Sequence, residues 1–179
     1  MVLIMMKMTT WLTYNYIARK VNSSFLLGIL FLLAMPLSVF SQWQPSKNTL
    51  SKAESTLEHF FDSAYSKTKI DLDSNYFEII TSDSTHAYAC IQQAPSKHDM
   101  FDFIAIYSSD MELLKLRVLT YRENYGGEIA NKRWLKQFLN REVNDVQAIS
   151  GATISVESMK MAVSSLTQKM KNWQSRQLL

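Results

Sequence analysis

The sequence predicts an α+β domain, an antiparallel sheet of about four strands packed with helices. Three observations point there. Tyr76 to Ile80, Ala87 to Gln92, Phe101 to Tyr107 and Leu113 to Tyr121 are short, rich in aromatic and branched residues, and joined by short connections. Segments with helical periodicity flank them on both sides. The composition, 47% hydrophobic and 20% charged over 179 residues, suits one folded domain and hardly two.

Taken in order, residues 1–41 read as a targeting segment and residues 42–179 as the domain. Arg19 and Lys20 precede an apolar run that begins at Phe25, and Pro36 breaks it. Val39 and Ser41 then place short side chains before Gln42, as a signal peptidase requires. From Phe25 to Phe40 the run is shorter than the roughly 20 residues of a spanning helix, which favours a cleaved signal peptide over a retained N-terminal anchor. Lys7, Arg19 and Lys20 are the only charges before residue 42, so 19 basic residues less these three leaves 16 against 16 acidic ones. A balanced domain has no net charge with which to neutralise phosphates, and nucleic acid is not an expected partner.

The domain opens with a helix. Leu50, Ala53, Leu57, Phe60, Phe61, Ala64 and Tyr65 form an apolar stripe between Asn48 and Lys67. His59 lies on it without a second ligand at metal spacing, so it reads as a partly exposed helix residue. In the third strand Phe101, Phe103 and Ala105 take one face, and Asp102, Ile104 and Ile106 the other. In the fourth, Leu114, Leu116 and Val118 alternate with Lys115 and Arg117. Gln93 to His98 reads as a hairpin connection and Ser108-Ser109-Asp110 as a turn. Cys90, the one cysteine, has no disulfide partner in the chain and reads as a small buried side chain.

After the sheet, Tyr121-Arg122-Glu123-Asn124-Tyr125-Gly126-Gly127 runs from a strand into a turn, then into a helix carrying Ile129, Trp134, Leu135 and Phe138. Outside the targeting segment every glycine is Gly126, Gly127 or Gly151, so backbone freedom is concentrated in two turns. Taken alone, the Gly-Gly pair reads as a turn needing positive φ. Glu123 and Glu128 read as turn and surface charges before they read as paired carboxylates. The second turn, Ala148 to Ser155, precedes the strongest helical stripe: Val156, Met159, Val163, Leu166, Met170 and Trp173. Ser155 is the expected N-cap, with Glu157 in the first turn. Free amides at such a helix start suit a phosphate, and Ser150, Thr153 and Ser155 add hydroxyls. An ordinary capped helix is the plainer reading of so short a stretch. No metal motif, nucleotide-hydrolase loop or Gly-x-Ser-x-Gly is present. No His or Lys lies near Ser150 or Thr153 in sequence to serve as base, which disfavours a hydrolase.

Ser150-Gly151-Ala152-Thr153 resembles the flavinylation motif of the FMN-binding domain family. That domain occurs in periplasmic flavin subunits of Rnf-type and sodium-pumping NADH:quinone oxidoreductase complexes. Glu123, Gly126, Gly127, Gln137 and Phe138 match the family in order and approximate spacing, and the resemblance runs from about Tyr88 to Leu166. Where the family has Asp three residues before the motif, this chain has Gln147. The resemblance implies FMN as cofactor, joined to Thr153 by a phosphoester that a flavin transferase makes. It also implies an exported electron carrier, periplasmic or extracytoplasmic and membrane-associated, and not an independent catalyst. Its redox partner would be a protein such as a membrane oxidoreductase complex. Ser150, Gly151 and Ala152 would hold the phosphate beside Thr153. Glu123, Gly126 and Gly127 would shape the ring pocket, with Tyr121 or Tyr125 as stacking partner. A secreted binding or interaction module of the same fold, without covalent flavin, is the second reading.

Overall fold

The computed structural model describes residues 43–62, 64–72 and 74–177, so the targeting segment expected over residues 1–41 lies outside the described residues. Helix α1 spans Lys47–Phe60. Ser46 caps it, accepting the Thr49 amide at 3.1 Å. Thr49, Ala53, Thr56 and Leu57 recur at helical spacing and are buried. The sequence stripe continues to Tyr65, but the helix stops at Phe60. Asp62 takes a left-handed φ of 51°, which a helix cannot contain. Tyr65 instead opens a strand.

Five strands form the sheet: β1 (Tyr65–Lys69), β2 (Tyr76–Thr81), β3 (His86–Pro95), β4 (Met100–Ser108) and β5 (Leu113–Thr120). They lie side by side in chain order, each antiparallel to the next. The strand not expected is β1. Its sequence, Tyr-Ser-Lys-Thr-Lys, is exposed and carries no apolar alternation, because it is an edge. β3 also runs further than expected, to Pro95, and Gln93 pairs with Asp102 within the sheet. Only Ser96 to Asp99 is left as the turn, closed by the Ser96 amide donating to the Asp99 carbonyl at 2.7 Å.

Beyond β5 the single expected helix is broken into a 3-10 turn (Gly127–Ala130), α2 (Lys132–Leu135) and α3 (Gln137–Asn140). A 3-10 turn at Val143–Asp145 precedes α4, Thr153–Gln177. The sheet is covered on both faces, which explains why β4 is buried from Phe101 through Tyr107. On one side α1 sets Ala53 and Leu57 over Ala89, Ile91 and Ile104. On the other, Phe103, Ala105, Cys90 and Leu116 join the α4 stripe of Val156, Met159, Val163, Leu166, Met170 and Trp173 in one cluster. Each large apolar side chain buried here contributes about 1.5–3 kcal/mol relative to exposure. Contacts along α4 fix its register on β3. Cys90 Sγ lies 3.5 Å from Met170 Sδ, and the Tyr88 and Trp173 rings meet edge to face at 5.4 Å. Cys90 is buried, as the sequence suggests.

Candidate functional site

The site begins with an irregularity in β5. Phe103 pairs with Val118, but Asp102 pairs with Thr120, so Leu119 is bulged out of the ladder. Beyond the bulge, Tyr121 and Arg122 part to opposite faces. Arg122 turns to Asp102, a fully buried carboxylate, in a two-pronged pair of 3.0 Å and 2.6 Å. Thr49 of α1 donates to the same carboxylate at 2.6 Å, and Gln93 at 3.0 Å. Burial opposes the charge of Asp102, but hydrogen bonds from Arg122, Thr49 and Gln93, with the Arg122 charge, outweigh it and hold the carboxyl below its usual range. The end of β5 is thereby tied to α1, β3 and β4.

Tyr121 turns the other way, towards α4. Its hydroxyl donates to the Tyr125 carbonyl at 2.7 Å and lies 2.9 Å from both Ser96 Oγ and Ser155 Oγ. The two serine hydroxyls are 3.1 Å apart. These contacts join the β3–β4 turn, the Gly-Gly turn and the start of α4. Glu123 reinforces the junction: one carboxylate oxygen accepts the amides of His98 and Asp99 at 2.7 Å and 2.9 Å. The His98 amide is the largest influence holding the Glu123 carboxyl below its ordinary range.

The two adjacent glycines are not equivalent. Gly126 has φ 85°, and a Cβ there would meet the Tyr121 hydroxyl at 2.5 Å and Ser155 Oγ at 3.1 Å. Gly127 has no such demand, its nearest neighbour being a Tyr121 ring carbon at an ordinary 3.6 Å. Gly151 has φ 83° with nothing within 4 Å of a Cβ built on it. Its left-handed turn opens onto free space.

Helix α4 begins at Thr153. Ala152 gives its first carbonyl to the Val156 amide at 2.9 Å, is buried, and has no polar side chain to cap the first amides. Ser155, expected as the N-cap, is the helix's third residue; it is buried and turned to Tyr121 and Ser96. Glu157 lies beyond the opening turn and pairs with Lys160 at 3.4 Å. Ser150, Gly151 and Thr153 are exposed. The loop before them is gripped by its backbone: Gln147 donates its amide to Gln137 Oε1 at 3.1 Å, and its carbonyl accepts the Trp134 indole at 2.7 Å. Gln137 thus positions the loop that leads into the motif, and the Gln147 side chain takes no part in that grip. Of the two tyrosines considered for stacking, Tyr121 rests its ring 5.9 Å from Phe101 and spends its hydroxyl in the junction, whereas Tyr125 is 84% exposed.

An exposed threonine as the first residue of a long helix, behind an open glycine turn, is a fit place for a phosphate-linked group. Residues 98–168 match the FMN-binding domain family. FMN is the cofactor this match indicates. The matched FMN-binding domain begins at residue 98, downstream of Tyr88, and takes in β4, β5, the Gly-Gly turn, the Gln147 loop and α4 as far as residue 168. Helix α1 and the first three strands precede it. No curated protein matches the chain.

The structure therefore brings Tyr121 and Gly126 to the start of α4, with Glu123 holding the β3–β4 turn and Ser150 to Thr153 leading into the helix. The sequence reading missed Ser96, Asp102 and the Arg122 clamp. Their partners lie 59, 53 and 20 residues away, and no local pattern marks them.

Proposed function

We propose that this protein is an exported electron carrier that holds FMN covalently through Thr153. The observation that carries the reading is that Thr153, an exposed hydroxyl-bearing residue, opens α4 behind the left-handed turn at Gly151. Ser150, Gly151 and Ala152 shape the approach, and the amides of the first turn supply partial positive charge for a phosphate. Glu123 and Gly126 act by building the junction that carries the motif, and exposed Tyr125 beside it is the residue for ring stacking. The flavin ring supplies reversible electron transfer, and the protein supplies attachment and orientation. For attachment, Thr153 Oγ1 forms a bond to phosphorus while a phosphoanhydride bond of a flavin dinucleotide donor breaks. A mononucleotide leaves, and the hydroxyl proton passes to a base of the flavin transferase. Residues 1–41 direct export, with cleavage before Gln42, and the electrons pass to a redox partner such as a membrane oxidoreductase complex.

Thr153→Ala tests the attachment. After co-expression with a flavin transferase, the parent should fluoresce on a denaturing gel and the variant should be dark. A dark parent that Gln147→Asp makes fluorescent would place the fault in transferase recognition. If Gln147→Asp also stays dark, a secreted binding module of this fold without covalent flavin is the better reading.

A further inference from the structure

We infer that Tyr121 and Ser155 are positioning residues that aim the Thr153 hydroxyl outward for flavin attachment, an inference that rests on the attachment reading above. The hydrogen bonds have a fixed sense. A carbonyl only accepts, so the single Tyr121 proton goes to the Tyr125 carbonyl at 2.7 Å. At its 2.9 Å contacts with Ser96 and Ser155 the phenol oxygen is therefore the acceptor. The Ser155 proton then goes to Tyr121 or to Ser96, and Ser96 can also donate to the Glu123 carboxylate. The serine protons are held inside the junction, and Ser155 is pinned inward.

The helix converts that pin into an orientation. Residues turn about 100° each along an α-helix, so Thr153 sits roughly 200° around from Ser155. Burying Ser155 and Ala152 on the inner side leaves Thr153 on the outer side, as its exposure shows. Gly126 is part of the device, because any side chain there would occupy the place of the Tyr121 hydroxyl. Removing the phenol oxygen leaves Ser155 only its 3.1 Å contact with Ser96 and loosens the inward hold on the first turn. A transferase must present phosphorus to one hydroxyl at bonding distance, so loss of orientation falls on the transfer rate.

The test uses the flavin-free protein, purified transferase and a flavin dinucleotide, with attachment followed by gel fluorescence. Tyr121→Phe keeps the ring beside Phe101, and Ser155→Ala removes the second partner by itself. Both should lower kcat for attachment about tenfold, with KM for the protein substrate changed less than about twofold. Ser155→Thr keeps a hydroxyl and should recover most of the rate. In the same flavin-free proteins the Val156 amide, bonded to Ala152, should exchange hydrogen faster in Tyr121→Phe than in the parent. Parent-like kcat in both variants with the parent labelled would overturn the positioning role alone, as would a change confined to KM. An unlabelled parent, even as Gln147→Asp, would overturn the attachment reading and this inference with it.

Discussion

Gly126, Gly127 and Gly151 look alike in sequence, but the structure makes a different demand at Gly126 and at Gly151 and none at Gly127. Gly126 combines a left-handed backbone with a hydroxyl 2.5 Å from where a Cβ would lie. Gly126→Ala should therefore cost about 2–4 kcal/mol, from strain at positive φ and displacement of Tyr121. Gly151→Ala meets no neighbour and should cost only the backbone term, about 1–2 kcal/mol. Gly127→Ala should stay within about 0.5 kcal/mol of the parent. Urea unfolding of the three variants gives the ranking directly. Equal costs at Gly126 and Gly151, which share the left-handed backbone, would mean that Tyr121 does not set the extra demand. Stability and flavin attachment should also separate, because Gly151 opens towards solvent and Gly126 towards the protein.

At the scale of elements, the Asp102–Arg122 pair decides where β5 ends and how the site segment leaves it. Asp102 has no exposure and four side-chain hydrogen bonds from three residues. Asp102→Ala removes the shared acceptor of Thr49, Gln93 and Arg122, while Arg122 keeps the Met100 carbonyl and solvent, and it should destabilise by about 1–3 kcal/mol in chemical unfolding. The pH dependence follows from the direction of its shift. Its folded carboxyl titrates below the unfolded value of about 3.9, so the stability it contributes is complete above that value and falls as pH drops through the folded one. The parent should lose stability below about pH 4, and Asp102→Asn should show a shallower loss across the same interval. Parallel curves for the two proteins would show that Asp102 carries no charge-dependent stabilisation. The bulge at Leu119 belongs to the same device, since its extra residue offsets the alternation and puts Arg122 on the Asp102 face and Tyr121 on the α4 face.

For the whole molecule, the sheet works as a shared wall. Phe103 faces α4, while Ile104 beside it faces α1, so both layers depend on one strand. Such a core should melt as one unit. Phe103→Ala should cost about 3–5 kcal/mol and Ile104→Val about 0.5–1.5 kcal/mol, each lowering a single midpoint. Tryptophan fluorescence, which includes Trp134 and Trp173 on the α4 side, should track far-UV circular dichroism in both variants. A second transition seen only by circular dichroism in Ile104→Val would show that the α1 layer unfolds independently. The wall also explains how the site is held: its parts sit at one end of β3, β4, β5 and α4, where four elements fix them at once.

By itself the sequence determined β2 to β5, the buried stripe of α4 and the Ser-Gly-Ala-Thr motif before it. Those features repeat within a few residues, and their period of two or near 3.6 reports the face they bury. It also marked both turns that need a left-handed glycine, Gly126 and Gly151. Tertiary structure decided the rest. Edge strand β1 has no apolar alternation because no layer covers its outward side chains. The stripe past Phe60 looks helical, yet Asp62 turns the chain so that Tyr65 can pair with Thr81. Ser155 has the chemistry of an N-cap, but Tyr121, 34 residues away, takes its hydroxyl and the helix starts earlier. Local periodicity records what a residue buries, whereas a hydrogen-bonding side chain answers to whichever distant partner the fold brings within 3 Å.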